Sequence, residues 1–403
     1  MKHRRLAACL FAAAILGVIP AGSALTVQAA DCYTFNEGTG ALTLHGRVDK
    51  SALQALDRSA VLSVRAEPGT VLPENCRELF KDFQSARSID LSGADTSGVT
   101  DMSLMFCSCM DLISLNLTGI DTSHVTTMSG MFMTCWSLET LDVSGFDTSS
   151  CESFNAMFWQ CSCLDALDVS GFDTSKVTTM NGMFYECFQL GDLDLTGFDT
   201  SSVTNMQWMF ECCYGLESLD LKGFDTSNVT TMKKMFYKCT GLHDLDLTGF
   251  STRNTEDVSQ MFGGCGSLSA LTLGKDFPEV TQEMQLTNAR GWADGEAPTV
   301  RLSGEGEYAA FSNKGVHTYC AVQPPYLLGD VNEDGTVNAN DAARILIAAA
   351  RIGAKRGSGL SDAQTLAANV NGDKAINAVD ASIVLRYAAA IGAKRQVELT
   401  DFI

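Results

Sequence analysis

The pair Met105-Phe106 returns at Met131-Phe132, Met157-Phe158, Met183-Phe184, Met209-Phe210, Met235-Phe236 and Met261-Phe262, always 26 residues apart. Leu79-Phe80 is an earlier, less regular copy. Three residues after each Phe of the seven regular copies stands a cysteine, from Cys109 to Cys265. Six residues after it stands a leucine, from Leu112 to Leu268. A fixed period of roughly 20–50 residues leaves few folds open: one small unit, written repeatedly, stacks into a solenoid or a related array.

One unit shows why it must stack. In Leu242 to Phe250, Leu245 and Leu247 alternate with Asp246, which predicts a short strand with leucines inward and aspartate outward. Gly249 lets the chain turn. In Phe224-Asp225-Thr226-Ser227-Asn228-Val229 the Asp, Thr and Ser suit turns and caps. Val229, Met232, Met235, Phe236 and Cys239 fall at helix-like spacings, so the second segment reads as helical or irregular. No single unit buries its apolar face alone; stacked neighbours do. The L-x-x-L-D-L strand at this period resembles the BspA-like bacterial leucine-rich-repeat surface proteins. Gly197 to Cys213 and Gly223 to Cys239 match their G-F-D-T-S-x-V-T-x-M-x-x-M-F-x-x-C repeat nearly letter for letter. The resemblance covers about half the chain and implies an α/β repeat solenoid with short parallel strands, acting as a surface-exposed binding scaffold without a named ligand.

Residues 1–29 read as a secretory signal: Lys2, His3, Arg4 and Arg5 precede the apolar run Leu6 to Ile19, and Val27-Gln28-Ala29 offers small residues for cleavage. The apolar run is too short for a comfortable membrane span, and no later stretch suits membrane insertion. The formal charge is −20, and removal of Lys2, Arg4 and Arg5 makes the mature chain more acidic still. Such a chain does not attract nucleic acid by charge. It suits a secreted, extracellular protein and calcium binding. Residues 30–78 read as an N-terminal cap, with strands around Ala41 to Leu44 and Val61 to Val64. Residues 79–273 form the solenoid. Residues 274–322 read as the other cap, with short strands at Gly304 to Tyr308 and His317 to Val322. Gln323-Pro324-Pro325 opens a linker over 323–326.

Beyond the linker the composition changes to alanine-rich. Asp330 to Asp341 is a twelve-residue loop with oxygens at positions 1, 3, 5, 9 and 12 and Gly335 at position 6. Calcium takes six to eight hard oxygens, and glycine permits the sharp turn. Asp330, Asn332, Asp334 and Asp341 would supply side chains, Thr336 its carbonyl, and Asn338 a water-mediated contact. A second copy lies 39 residues on, with Asn369, Asn371, Asp373, Ala375, Asn377 and Asp380 in the same places. Helical stretches follow both loops, Asp341 to Gly353 and Asp380 to Gly392. This duplication, with the G-D-V-N-x-D-G opening, resembles the type I dockerin over residues 327–396: a small all-α domain of paired F-hand calcium loops, leaving 397–403 as a tail. The second loop departs from the pattern with Asn369 at position 1 and Lys374 at position 6. Losing an anionic ligand and gaining a cation makes it the weaker of two calcium sites. The resemblance implies that the domain docks to a cohesin module of a scaffolding protein, as in a cellulosome, and so to the cell surface. It points to Ala339, Asn340, Ile347 and Arg351 in the first half, and to Ala378, Val379 and Arg386 in the second, as the cohesin-binding positions. The halves differ there, which argues against two equivalent faces.

Fifteen cysteines in a secreted chain would ordinarily mean disulfides. Here seven form a ladder whose side chains point the same way rather than toward each other, which favours buried free thiols. Cys32 and Cys320, in opposite caps, stand roughly 35–40 Å apart and do not pair. The outward strand position is also a ladder: Asp90, Asn116, Asp142, Asp168, Asp194, Asp220, Asp246 and Thr272. Two readings stand: carboxylates hydrogen-bonded to flanking hydroxyls, or an acidic face for a basic partner. Around the Met-Phe-x-x-Cys core, aromatics occupy slots the repeat does not reserve for them. Trp136, Trp159, Tyr185 and Trp208 are the candidate strip for stacking on sugars or anchoring a protein partner, against partial burial between neighbouring units.

No catalytic constellation is visible; His124 and His243 stand in slots that other copies fill with ordinary residues. The expected function is a non-catalytic binding protein that docks through its calcium loops and presents the repeats to a polysaccharide or a protein, serving polysaccharide catabolism. An adhesin, inhibitor or spacer within the complex is the alternative, and an enzyme a more distant one.

Overall fold

The computed structural model describes residues 27–289, 291–298, 300–304, 306–322, 328–332, 334, 336–360, 362–373, 375–393 and 397–403. Residues 1–26, most of the proposed signal, lie outside them, as do the linker, Gly335 and Lys374. The described chain falls into two units: the repeats with their caps, and the C-terminal part from Val322 onward together with Glu296–Arg301.

The first unit begins with an antiparallel hairpin, Tyr33–Asn36 against Ala41–Leu44. Its turn needs Gly40: φ is +66°, and a Cβ there would lie 2.5 Å from Leu62 Cγ. Val27–Ala30 adds an edge strand to the hairpin, so cleavage after Ala29 would leave Tyr33–Asn36 as the new edge. Ser63–Ala66, Ser88–Asp90 and Ser114–Asn116 then stack in parallel, one per coil. Helix α1 (Lys50–Gln54), capped by the Asp49 carboxylate on the Ser51 amide, buries Leu53.

In the regular coils the leucines of the strand segment point inward, as expected: Leu245 and Leu247 are buried while Asp244 is exposed. The segment left open between helix and irregular structure is irregular. Each coil makes two turns there and places two residues in the left-handed region. Leu104, Ala156, Trp208, Lys234 and Gln260 take the first position; Ser108, Thr134, Gln160, Glu186, Cys212 and Lys238 take the second. A side chain in that region costs roughly 1–2 kcal/mol and a helix cannot run through it. Hydrogen bonds to the next coil offset the cost: Ser108 N donates to Met133 O (2.8 Å), Thr134 N to Trp159 O (2.7 Å) and Gln160 N to Tyr185 O (2.7 Å). The adjacent Phe amides do the same, as Phe158 N to Met183 O at 2.9 Å.

The core is built of columns. Phe80, Phe106, Phe132, Phe158, Phe184, Phe210, Phe236 and Phe262 stack with centroids 5.6–6.1 Å apart. The cysteine column is buried, and its thiols donate to Phe carbonyls 29 residues back, as Cys161 Sγ to Phe132 O at 3.2 Å. All the described cysteines are free. Burial pushes the Cys187 and Cys265 thiols up to about 12. At the far end His317–Ala321 pairs antiparallel with the last coil strand, Ala270–Leu273, and with Trp292–Asp294. The strand expected at Gly304 to Tyr308 does not form. Tyr308 makes a single bridge to Thr287, and the pairing strand of that region is Phe311–Ser312.

The second unit packs α2 (Ala339–Gly353) and α4 (Ala378–Gly392), joined through α3 (Asp362–Ala368), around Val331, Ala342, Ile345, Val370, Ala381 and Val384. The expected tail belongs to this core. Leu399–Phe402 forms a 3-10 turn, with Leu399 and Phe402 against the cluster and Phe402 edge-on to Tyr387. No helix among the described residues is long and apolar enough to cross a membrane.

Candidate functional site

Both candidate calcium loops end on a helix start. Asn338 and Asn377 cap α2 and α4 through the amides of Asn340 and Val379. The fully buried Asp341 and Asp380 close capping boxes by accepting from the cap amides at 2.9 Å. Their other oxygens reach back into the loop: Asp341 Oδ1 accepts from Val331 N (2.9 Å) and Asn332 N (3.0 Å), and Asp380 Oδ1 from Asn371 N (3.2 Å). One aspartate therefore ties loop, helix start and last ligand position together. Within the loops the pattern repeats. Asn332 Nδ2 donates to Asp334 Oδ2 (2.7 Å) and Asn371 Nδ2 to Asp373 Oδ2 (2.9 Å). Thr336 and Asn332 hold the Asp334 carboxyl below its ordinary value; the Ala375 amide and Asn371 do so for Asp373.

The donor set fits a hard cation. Carboxylate, carboxamide and carbonyl oxygens alternate, and the buried Asn369 Oδ1, at position 1 of the second loop, has no hydrogen-bond partner among the described residues. No three His, Cys, Asp or Glu side chains alone make a metal cage among those residues; the amides are needed. Calcium would be held by Asp330, Asn332, Asp334, the Thr336 carbonyl, Asn338 and Asp341, and by Asn369, Asn371, Asp373, the Ala375 carbonyl, Asn377 and Asp380.

The positions expected to meet a cohesin are at the surface. Ala339, Asn340, Arg351, Ala378 and Arg386 are exposed, Ile347 is 60% exposed and Val379 55%. The halves are not alike. Ile347 stands open on α2, whereas its counterpart Arg386 has its guanidinium 5.3 Å from the Phe402 ring.

On the repeats the four candidate aromatics do not form one strip. Trp159 stacks on Tyr185 at 3.7 Å and meets Trp208 edge-on at 6.0 Å. Gly182 makes this possible: a Cβ there would lie 2.5 Å from the Trp159 ring. Trp136, 44% exposed, belongs instead to the column of Phe188 and Tyr214, which stack at 5.2 Å. A groove of about 390 Å³, missed from sequence, runs along Trp159. One wall is a polar column, Arg77, Ser129, Asn155 and Asn181; the other is Leu104, Met133 and Trp159; Gly130, with Leu104 against it, and Ala156 form the floor. Gly130 and Ala156 stand where the preceding coil carries Leu104 and later coils carry Trp208, Lys234 or Gln260. That departure from the repeat was the available signal.

Four of the outward aspartates, Asp90, Asp142, Asp168 and Asp194, take the hydroxyl-bonded form, whereas Asp220 and Asp246 accept, among the described residues, only from the backbone amides of Lys222 and Thr248. Asp142, Asp168 and Asp194 accept from Ser144 (2.6 Å), Ser170 (2.6 Å) and Thr196 (2.7 Å), and these bonds, with those from the matching amides, hold their carboxyls below the ordinary value.

Two family models match. Residues 74–167 and 163–273 fit the family described as "Mycoplasma protein of unknown function, DUF285", and residues 328–388 fit the type I dockerin domain. No curated protein matches the chain. Among solved structures, a leucine-rich-repeat protein from Eubacterium ventriosum is 16% identical, over 61% of this chain and 84% of that one, at a TM-score of 0.23. One from Bacteroides ovatus is 14% identical, over 61% and 92%, at 0.22. One from Leptospira interrogans is 15% identical, over 59% and 66%, at 0.25. The fold stands on the coil geometry above rather than on these superpositions.

Proposed function

The chain joins DUF285 repeats to a type I dockerin domain, and from that premise we propose a secreted, non-catalytic binding protein. Its dockerin loads calcium at two sites and attaches to a cohesin of an extracellular scaffolding protein. Its coils then present a rigid surface to a protein or a polysaccharide. The observation that carries the reading is the duplicated loop and helix, each with a buried aspartate that closes the cap and faces the loop. The first site carries three described carboxylates and the second two, so the first binds more tightly. The first half, with Ile347 open, makes the stronger cohesin contact.

The test is calorimetry of the full chain with calcium, then with a panel of type I cohesins. Expected are two binding events of unequal affinity, and cohesin binding that is lost with chelator or with Asp330→Ala plus Asp341→Ala. Asn369→Asp should tighten the second event. Absence of calcium uptake would overturn the docking reading.

A further inference from the structure

The groove along Trp159 crosses five successive coils, from the one holding Arg77 to the one holding Asn181. Its backbone is already committed. Leu104 N donates to Ser129 O, Gly130 N to Asn155 O and Ala156 N to Asn181 O, all at 2.8 Å. An extended peptide would find no strand edge to pair with. The groove offers side chains instead. Asn181 Oδ1 is buried without a partner, and the Asn155 carboxamide makes no hydrogen bond among the described residues. A carboxamide both donates and accepts, as a hydroxyl does. Beside these amides lies the Trp159 indole, braced by Tyr185 and seated against Gly182.

We propose that this groove binds a pyranose oligosaccharide laid across the coils. Its hydroxyls would meet Asn155 and Asn181, and a sugar face would lie on Trp159. Arg77 would donate to a hydroxyl or a ring carboxylate at the far end. This deepens the reading of the repeats as a binding surface and rests on it.

The array supplies its own fold-compatible variants. Ala156→Gln puts into the groove the residue that Gln260 carries at the same left-handed position. Asn181→Ser puts there what Ser129 and Ser259 carry. The experiment is calorimetry of the full chain with soluble cello-, xylo-, manno- and galacturono-oligosaccharides, with thermal unfolding as the control for folding. Expected is binding of at least one class, abolished by Ala156→Gln and weakened about tenfold by Asn181→Ser. Binding that survives Ala156→Gln would overturn the groove while leaving the repeats as a binding surface. No binding by any class would overturn the sugar. Cohesin docking, measured on the same samples, separates either failure from failure of the dockerin.

Discussion

On the Met-Phe side of the coils, parallel bridges join every coil to the next, from Asn75 with Asp101 through to Thr231 with Asp257. On the leucine side the ladder is patchy. It is continuous as far as Ser114–Asn116, resumes as a two-residue pair of Ala166–Leu167 with Asp192–Leu193, and is complete again at Asp244–Leu247 with Ala270–Leu273. The outward side chain accounts for most of this. Pairing runs through that position where Asn116 Nδ2 donates to Asp90 (3.0 Å) and where Asp246 faces Thr272. It stops short of Asp168 and Asp194, where like charges would stack. Asp220 and Asp246 do bridge, with Lys222 Nζ 3.8 Å from Asp246. Nothing in the structure explains the missing pair between Asn116 and Asp142. A repeat can thus place its strongest strand pattern where coil-to-coil bonding is weakest, because burial sets the pattern and backbone pairing answers to the charges outside.

Phe158→Ala removes a fully buried ring from the middle of the continuous column and should cost about 3–5 kcal/mol in denaturant unfolding; a loss under a third of that would mean the column is not what joins the coils. Thr148 lies at the turn leading into the Met-Phe segment. Its buried hydroxyl donates to Asp173 O (3.0 Å) and accepts from Asp173 N (2.8 Å). Thr148→Val strands both groups and should cost about 1–3 kcal/mol in the same assay.

Acid tests the leucine side. Asp142, Asp168 and Asp194 have lowered carboxyl pKa values when folded, so they stabilise the fold above the ordinary 3.8 and lose that contribution as pH falls through the lower folded values. The melting temperature should therefore drop below about pH 4. A rise on acidification would show that repulsion along the ladder outweighs the hydroxyl bonds. The smallest effect is expected from Asp168→Asn, which relieves the like-charge contacts with Asp194 and Asp142: a slight rise in melting temperature, with slower amide exchange at Leu167 and Val169. Unchanged exchange would detach the broken pairing from the charges.

Legible in the sequence alone were the period, the buried columns of Leu, Met, Phe and Cys, the duplicated acidic loop and the helices behind both copies. Each of these is written as residue type at fixed spacing, and burial reads out directly as spacing. The tertiary structure decided the rest. The second segment is a pair of left-handed turns because its amides bond to the next coil, which no single unit shows. Trp136 parts from Trp159 because the slots after Phe and after Cys lie on different columns. Leu399 and Phe402 join the dockerin core because α4 offers them an apolar seat, outside the duplicated motif. The groove opens because Gly130, with no side chain, and Ala156, with only a methyl, are neighbours across coils though 26 residues apart in the chain, and only stacking brings the two positions together.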